Sequence, residues 1–289
     1  MAQRMSSSQL RSKMRQLQSQ QRQRIQKINS AINKYNQAVR AYNAQVRQNQ
    51  IKMRSALARL RQAPVTHRYT VVRTSAVSLH ESYLRLEQAN RYEEDDPRFR
   101  LSVALPQQES VNSLAVAEAL LGEEADGGDA DEELQDSAIS DELRRISPDL
   151  DNRWRGALFS LSPRNPDAAR HFCSSTREIF TQILHMCAPD EAVRAALPGH
   201  QTDQSGRPTR RSRIRFLLHR KGMTDDALEA FVEDDITNVI ELFELLNKGT
   251  HGEAGSFGRA RLVAVKKRVE QALAFVTEVA GFSPAFASA

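Results

Sequence analysis

Residues 14–62 read MRQLQSQQRQRIQKINSAINKYNQAVRAYNAQVRQNQIKMRSALARLRQ. Alternating steps of four and three from Met14 pick out Met14, Gln18, Gln21, Ile25, Ile28, Ile32, Tyr35, Val39, Tyr42, Val46, Asn49, Met53, Ala56 and Leu60, eleven of them apolar. That alternation is the seam of a coiled coil. No Gly or Pro interrupts it before Pro64, where the helix must end. At 1.5 Å per residue the stretch spans roughly 70 Å. Gln18, Gln21 and Asn49 weaken the seam and can fix its register or its partner.

The charge on this helix has one sign. The first 80 residues hold 16 Lys or Arg and no acid; Glu81 is the first. Arg22, Arg24, Lys34, Arg40 and Arg47 are therefore candidate nucleic-acid contacts, able to hold phosphate without reading sequence. Three reliefs of the repulsion stay open: a polyanion such as RNA or DNA, an acidic helix of another protein, or the chain's own acidic stretch. A plain stalk that oligomerises the chain is the bland alternative. A basic-leucine-zipper arrangement does not fit, because here the charge lies alongside the seam itself.

Working outward, Val71 to Arg91 reads as an amphipathic helix with Val72, Ala76, Leu79, Tyr83 and Leu86 on one face, and Val111 to Leu121 as a short apolar helix. Between Phe99 and Leu143 the charge inverts, with twelve acids against Arg100 alone. Gly122 to Asp141 has the composition of a disordered acidic linker. Farther on, Leu150–Leu161 carries the sole Trp, Trp154, as a core residue. Apolar residues recur at helical spacing from Asp167 to Cys187, around Val193, from Phe231 to Leu246, and from Phe257 to Val279. Thr224 is the expected cap of the third of these. No strand pattern of useful length occurs. The expected fold is all-α: a basic coiled coil (1–63), a helical connector (64–121), an acidic disordered linker (122–147), a C-terminal helical bundle (148–282) and a tail (283–289).

Several classes fall away. No apolar run of 18 residues is present and no secretory leader opens the chain, so a cytoplasmic location with no membrane partner is expected. Cys173 and Cys187 are too few for a disulfide framework. His185 and Cys187 lack a second ligand pair for zinc. No phosphate-cradling Gly-rich loop and no Gly-x-Ser-x-Gly elbow occur. Glu233-Asp234-Asp235 reads as a solvated helix face, and His67, His80, His200 and His219 as lone histidines. No cofactor and no metal is expected.

Two features retain chemistry. Arg210, Arg211, Arg213 and Arg215 cluster around Ile214 and Phe216, a candidate phosphate-binding patch. After a strongly apolar helix comes Asn247-Lys248-Gly249-Thr250-His251-Gly252. Asn247 and His251 are four apart, so one helical turn puts both on one side. A His there can serve as acid or base near neutral pH, Lys248 can hold a phosphate, and Asn247 can orient either. The alternative is a helix C-cap followed by a loop His.

A helix with Arg-His-Phe-Cys-Ser-Ser-Thr-Arg-Glu (170–178), then Leu-Leu-Asn-Lys-Gly-Thr-His-Gly (245–252), then a terminal helix, resembles the HEPN-type helical domains of prokaryotic conflict systems. Together with the Gln/Arg-rich coil, the chain resembles proteins described as predicted pPIWI-associating nucleases. The C-terminal resemblance spans roughly residues 150–280. It implies a metal-independent ribonuclease whose site is composed by two protomers from an Arg, a neighbouring polar residue and a His. Asn247 matches the polar residue and His251 the His. The Arg position falls on Leu246, Leu245 or Glu244, none of them basic. Either Lys248, Arg177 or an arginine of the 210–215 cluster stands in, or the domain binds without cutting. The expected function is a metal-independent nuclease of a defence system, acting on RNA in preference to DNA. It would work as a homo-oligomer through the coil, with a defence-system protein as a further partner. The alternative is a non-catalytic nucleic-acid-binding or scaffolding protein of the same kind of system.

Overall fold

The seam that the sequence draws along the first helix changes role partway. The structure is a computed structural model, and it describes residues 7–62, 70–93, 96–121, 134–162, 165–249 and 258–282. Helix α1 (Ser7–Gln62) carries the whole seam. The chain divides into two compact units, Met1–Ile51 and Lys52–Ala289. In the first unit Met14, Ile25, Ile28, Ile32 and Tyr35 are each half or more exposed. In the second, the seam continues as Met53, Ala56 and Leu60, all buried in the hydrophobic core.

Among its described residues the second unit's regular secondary structure is all helix, joined by loops, with one isolated bridge between Thr202 and Pro208. Helix α2 (Thr70–Ala89) buries the expected face, Val72, Ala76, Leu79, Tyr83 and Leu86. Asp96 accepts from the Arg98 amide and Pro97 fills the first turn of the short α3 (Pro97–Phe99). A π turn over Arg100–Ala104 then runs into α4 (Leu105–Leu121). Helix α4 is longer than its apolar part suggested, because Gln107, Glu109, Ser110, Asn112 and Ser113 are buried beside Leu114, Ala117 and Leu120. It runs through the middle of the unit, and Ala115 is its one exposed residue.

Residues 122–133 of the expected acidic linker lie outside the described residues. The remainder is not a free spacer: Leu134, Ile139 and Leu143 are fully buried, and α5 (Ser140–Ile146) is helical. The physical reason is that these few aliphatic residues recur within reach of the Trp154 face. Ser147 and Pro148 start α6 (Pro148–Ser160), where Trp154 is fully buried. Its indole N–H donates to Ser137 Oγ at 2.7 Å and its ring meets Phe172 edge-on at 5.8 Å. Ser137→Ala leaves that N–H unpaired in the core and is expected to cost about 1–3 kcal/mol. Urea unfolding followed by the fluorescence of this single Trp measures it directly.

Four further helices follow: α7 (Ala168–Cys187), α8 (Asp190–Ala196), α9 (Arg210–Arg220) and α10 (Asp226–Gly249). The last is α11 (Arg259–Ala280). The cap of α10 is Asp225, whose carboxylate accepts from the Ala227 amide at 2.9 Å, and not Thr224 as the sequence suggested. Helix α11 stops at Gly281, whose φ of 94° suits glycine. The core is built where α2 packs on α10, α4 on α2 and α11, and α7 on α10 and α11. Phe231 meets Phe275 edge-on at 6.0 Å, and Phe180 meets Phe243 at 6.4 Å. The 64–121 segment, read from sequence as a connector, thus supplies two walls of the same core as the C-terminal helices.

Candidate functional site

The expected catalytic turn lies at the end of α10. Asn247 and Lys248 fall in its last helical turn, and only their backbone is described. His251 lies outside the described residues. Arg177 is exposed on α7, one turn before Phe180. Phe180 packs on Phe243, itself one turn before Asn247. Arg177 and Asn247 are therefore each one turn from the same ring contact.

The arginines of α9 divide by face. Arg213 points inward: only 3% of its side chain is exposed, and it donates to the Ala188 carbonyl and to Asp190. Arg210 is half-buried and donates to Thr237 Oγ1 at 2.9 Å, and burial pulls its pKa down. Arg211 and Arg215 point outward. Glu229, nearly buried, accepts from Arg211 Nε at 2.9 Å and lies 3.3 Å from Arg215 Nε. One carboxylate thus fixes two guanidinium groups relative to each other. In the arm, Arg22, Arg24, Lys34, Arg40 and Arg47 are all exposed.

Arg211, Arg215 and His219 recur every four residues and line one wall of a cavity of about 730 Å³. Its other walls are Leu197–Gln201 and Met223–Asp226. His200 there lies with Nδ1 3.1 Å from the Leu197 carbonyl. A carbonyl only accepts, so Nδ1 is the donor in this contact. Nε2 is buried with no hydrogen-bond partner among the described residues. His200 shares this cavity with Arg211 and Arg215, whose guanidinium groups are paired with Glu229 and Asp226 of the same lining. The sequence carried half of this signal, in the spacing of Arg211, Arg215 and His219. The other half comes from loops that only the fold brings together.

A second cluster had no sequence signal. Arg268 is fully buried and donates to Glu109 and Asp235, with Asn238 Oδ1 at 3.2 Å. Asn238 in turn donates to Ser75 Oγ at 2.8 Å and accepts from Ser113 Oγ at 2.9 Å. Asp235 belongs to the acidic run read as a solvated face, yet it is fully buried. Burial, with Asp235 next, raises the Glu109 pKa to about 8 despite Arg268. Among the described residues, no group of three or more His, Cys, Asp or Glu side chains is placed to hold a metal ion.

An all-helical domain is the class that this geometry defines. Residues 143–276 are similar to the model of a family described as predicted pPIWI-associating nuclease, a match over somewhat less than half of the chain. The match runs from within α5 to within α11 and includes α9, the residues lining the cavity and residues 247–251. No curated protein and no solved structure matches the chain. No helix among the described residues is long and apolar enough to cross a membrane.

Proposed function

We propose that the chain is a metal-independent nuclease of a prokaryotic defence system. In this reading it acts on RNA in preference to DNA, as an oligomer whose sites are composed from two copies. The observation that carries the reading is the family match over residues 143–276. His251 serves as general acid or base, Asn247 orients it or the scissile phosphate, and Lys248 with Arg177 offsets the charge. A ribose 2′-OH supplies the nucleophile, which makes a metal unnecessary and favours RNA.

The test is cleavage of labelled RNA and DNA with and without EDTA, by the wild type, His251→Ala and His200→Ala. EDTA should leave the rate unchanged. His251→Ala should lose at least about 100-fold, the usual worth of a positioned acid or base. Undiminished cleavage by His251→Ala with loss in His200→Ala would move the chemistry to the 730 Å³ cavity.

A second reading rests on the arm, with its 16 basic residues before any acid, and on the missing motif arginine. Here the chain binds nucleic acid or scaffolds a complex without cutting. Its mark is salt-sensitive binding with no cleavage. Replacing Arg22, Arg24, Lys34, Arg40 and Arg47 together by Gln should weaken RNA binding. It should also flatten the plot of log affinity against log salt by about 0.7 for each single-strand phosphate that the arm no longer neutralises. An unchanged slope would place the grip elsewhere.

A further inference from the structure

The exposed half of the α1 seam needs a cover. Met14, Leu17, Ile25, Ile28, Ile32 and Tyr35 are each half or more exposed within the first unit. An apolar stripe of that length on an otherwise polar helix marks an interaction surface. The heptad around it says what kind. With Met14 at position d, position a holds Gln18, Ile25, Ile32, Val39 and Val46, all but Gln18 β-branched. That choice at a favours two parallel strands where d is not also Ile, and of Met14, Gln21, Ile28 and Tyr35 at d only Ile28 is.

The flanking rows decide the partner. From residue 29 to 50 the e positions are Asn29, Asn36, Asn43 and Gln50, and the g positions are Ala31, Ala38 and Gln45. None is charged. Lys27, Lys34, Arg40 and Arg47 sit at b and c, away from the seam. Over this stretch an acidic partner helix would find no cation beside the seam and a second copy would meet no repulsion, while N-terminal to it Arg15 and Arg22 at e and Arg24 at g do flank the seam. In parallel register each g residue faces the partner's e residue five positions on. Leu17 then faces Arg22, and Arg24 faces Asn29, so no arginine meets another. An antiparallel pair centred on the stripe would instead set Arg24 beside its own copy. Gln18 and Gln21 meet their own kind only in register.

We propose that the Met14–Tyr35 stripe of α1 seats a second copy of itself, parallel, in register and two-stranded. The seam is then taken by the copy, and the basic b and c rows stay outward for a polyanion. This deepens the oligomeric part of the proposed function and is independent of cleavage.

Sedimentation equilibrium on the full chain should give twice the 32.6 kDa chain mass, and Ile25→Asp with Ile32→Asp should give a monomer. A wild-type monomer overturns the proposal, and so does a trimer. Orientation is read by mild oxidation of Met14→Cys and Tyr35→Cys, alone and mixed. The native thiols stay silent, since Cys173 and Cys187 are buried and burial pushes the second up to about 11. Parallel register gives same-site disulfides in each variant alone and none between sites. A Met14→Cys to Tyr35→Cys link in the mixture overturns the orientation. Loss of cleavage with the dimer intact would count against the nuclease reading alone.

Discussion

Arg268→Met is expected to destabilise the second unit by about 3–5 kcal/mol, the range for breaking a buried ion pair from one side. Arg268 has no exposed surface, and Asp235 and Glu109 are buried with it. Removing the guanidinium leaves two carboxyl groups in a dry interior with no cation. Methionine fills most of the volume, so the loss reports charge and hydrogen bonding more than cavity formation. Denaturant unfolding, followed by Trp154 fluorescence, should show a midpoint shift at unchanged slope. Pairing Arg268→Met with Glu109→Gln and Asp235→Asn should recover much of the loss, because the uncompensated charge is gone. A single variant within about 0.5 kcal/mol of wild type would mean that water reaches the cluster.

The second large effect is on pH. Two carboxylates share one guanidinium, so the cluster is neutral only if one of them keeps a proton. The two carboxyls share it: burial raises both, Asp235 as well as Glu109, whose pKa rises to about 8. The folded pKa of Glu109 lies above the unfolded one, so the folded state binds the extra proton between about 4.5 and about 8. Stability from this group is complete below that window and falls as pH rises through it, at up to about 1.4 kcal/mol per pH unit for one proton. Burial raises the Asp235, Glu270 and Glu142 pKa values as well, and each acts with the same sign. Glu109→Gln should flatten the profile between pH 5 and 8 and bring the largest relative gain at the alkaline end. A wild-type profile that rises with pH over this range would refute the assignment.

The helices were legible because their apolar residues repeat. Val72 through Leu86 on α2 and Trp154 on α6 are buried as their spacing required. Polar residues inside the unit were not legible. Nothing in the run Glu233-Asp234-Asp235 tells which of the three acids turns inward, because an ion pair with Arg268 leaves no mark in local sequence. The buried polar side of α4 was hidden for the same reason: Ser113 is read as core only once Asn238 is opposite it. Arg210, Arg211, Arg213 and Arg215 looked like one patch, yet helical geometry turns Arg213 inward while Arg211 and Arg215 line the cavity. His200 was passed over as a lone surface His, because its orienting partner is a backbone carbonyl. The turn at Asn247–His251 remains the feature read most directly from sequence, and its role is carried by the proposed function.

The family boundary and the folding boundary do not coincide. The matched segment starts at residue 143, but Arg268 finds Glu109 across 159 positions of chain, and α2 and α4 supply walls of the core. A fragment cut at the start of the match would expose the apolar faces of α10 and α11 and strand a buried cation. During synthesis α2 and α4 leave the ribosome long before their partner helices exist, so this unit can close only when α11 is made. Such late closure slows folding, since distant contacts come at the highest loop entropy. A graft of the C-terminal segment of this chain into another protein would therefore have to carry α2 and α4 with it.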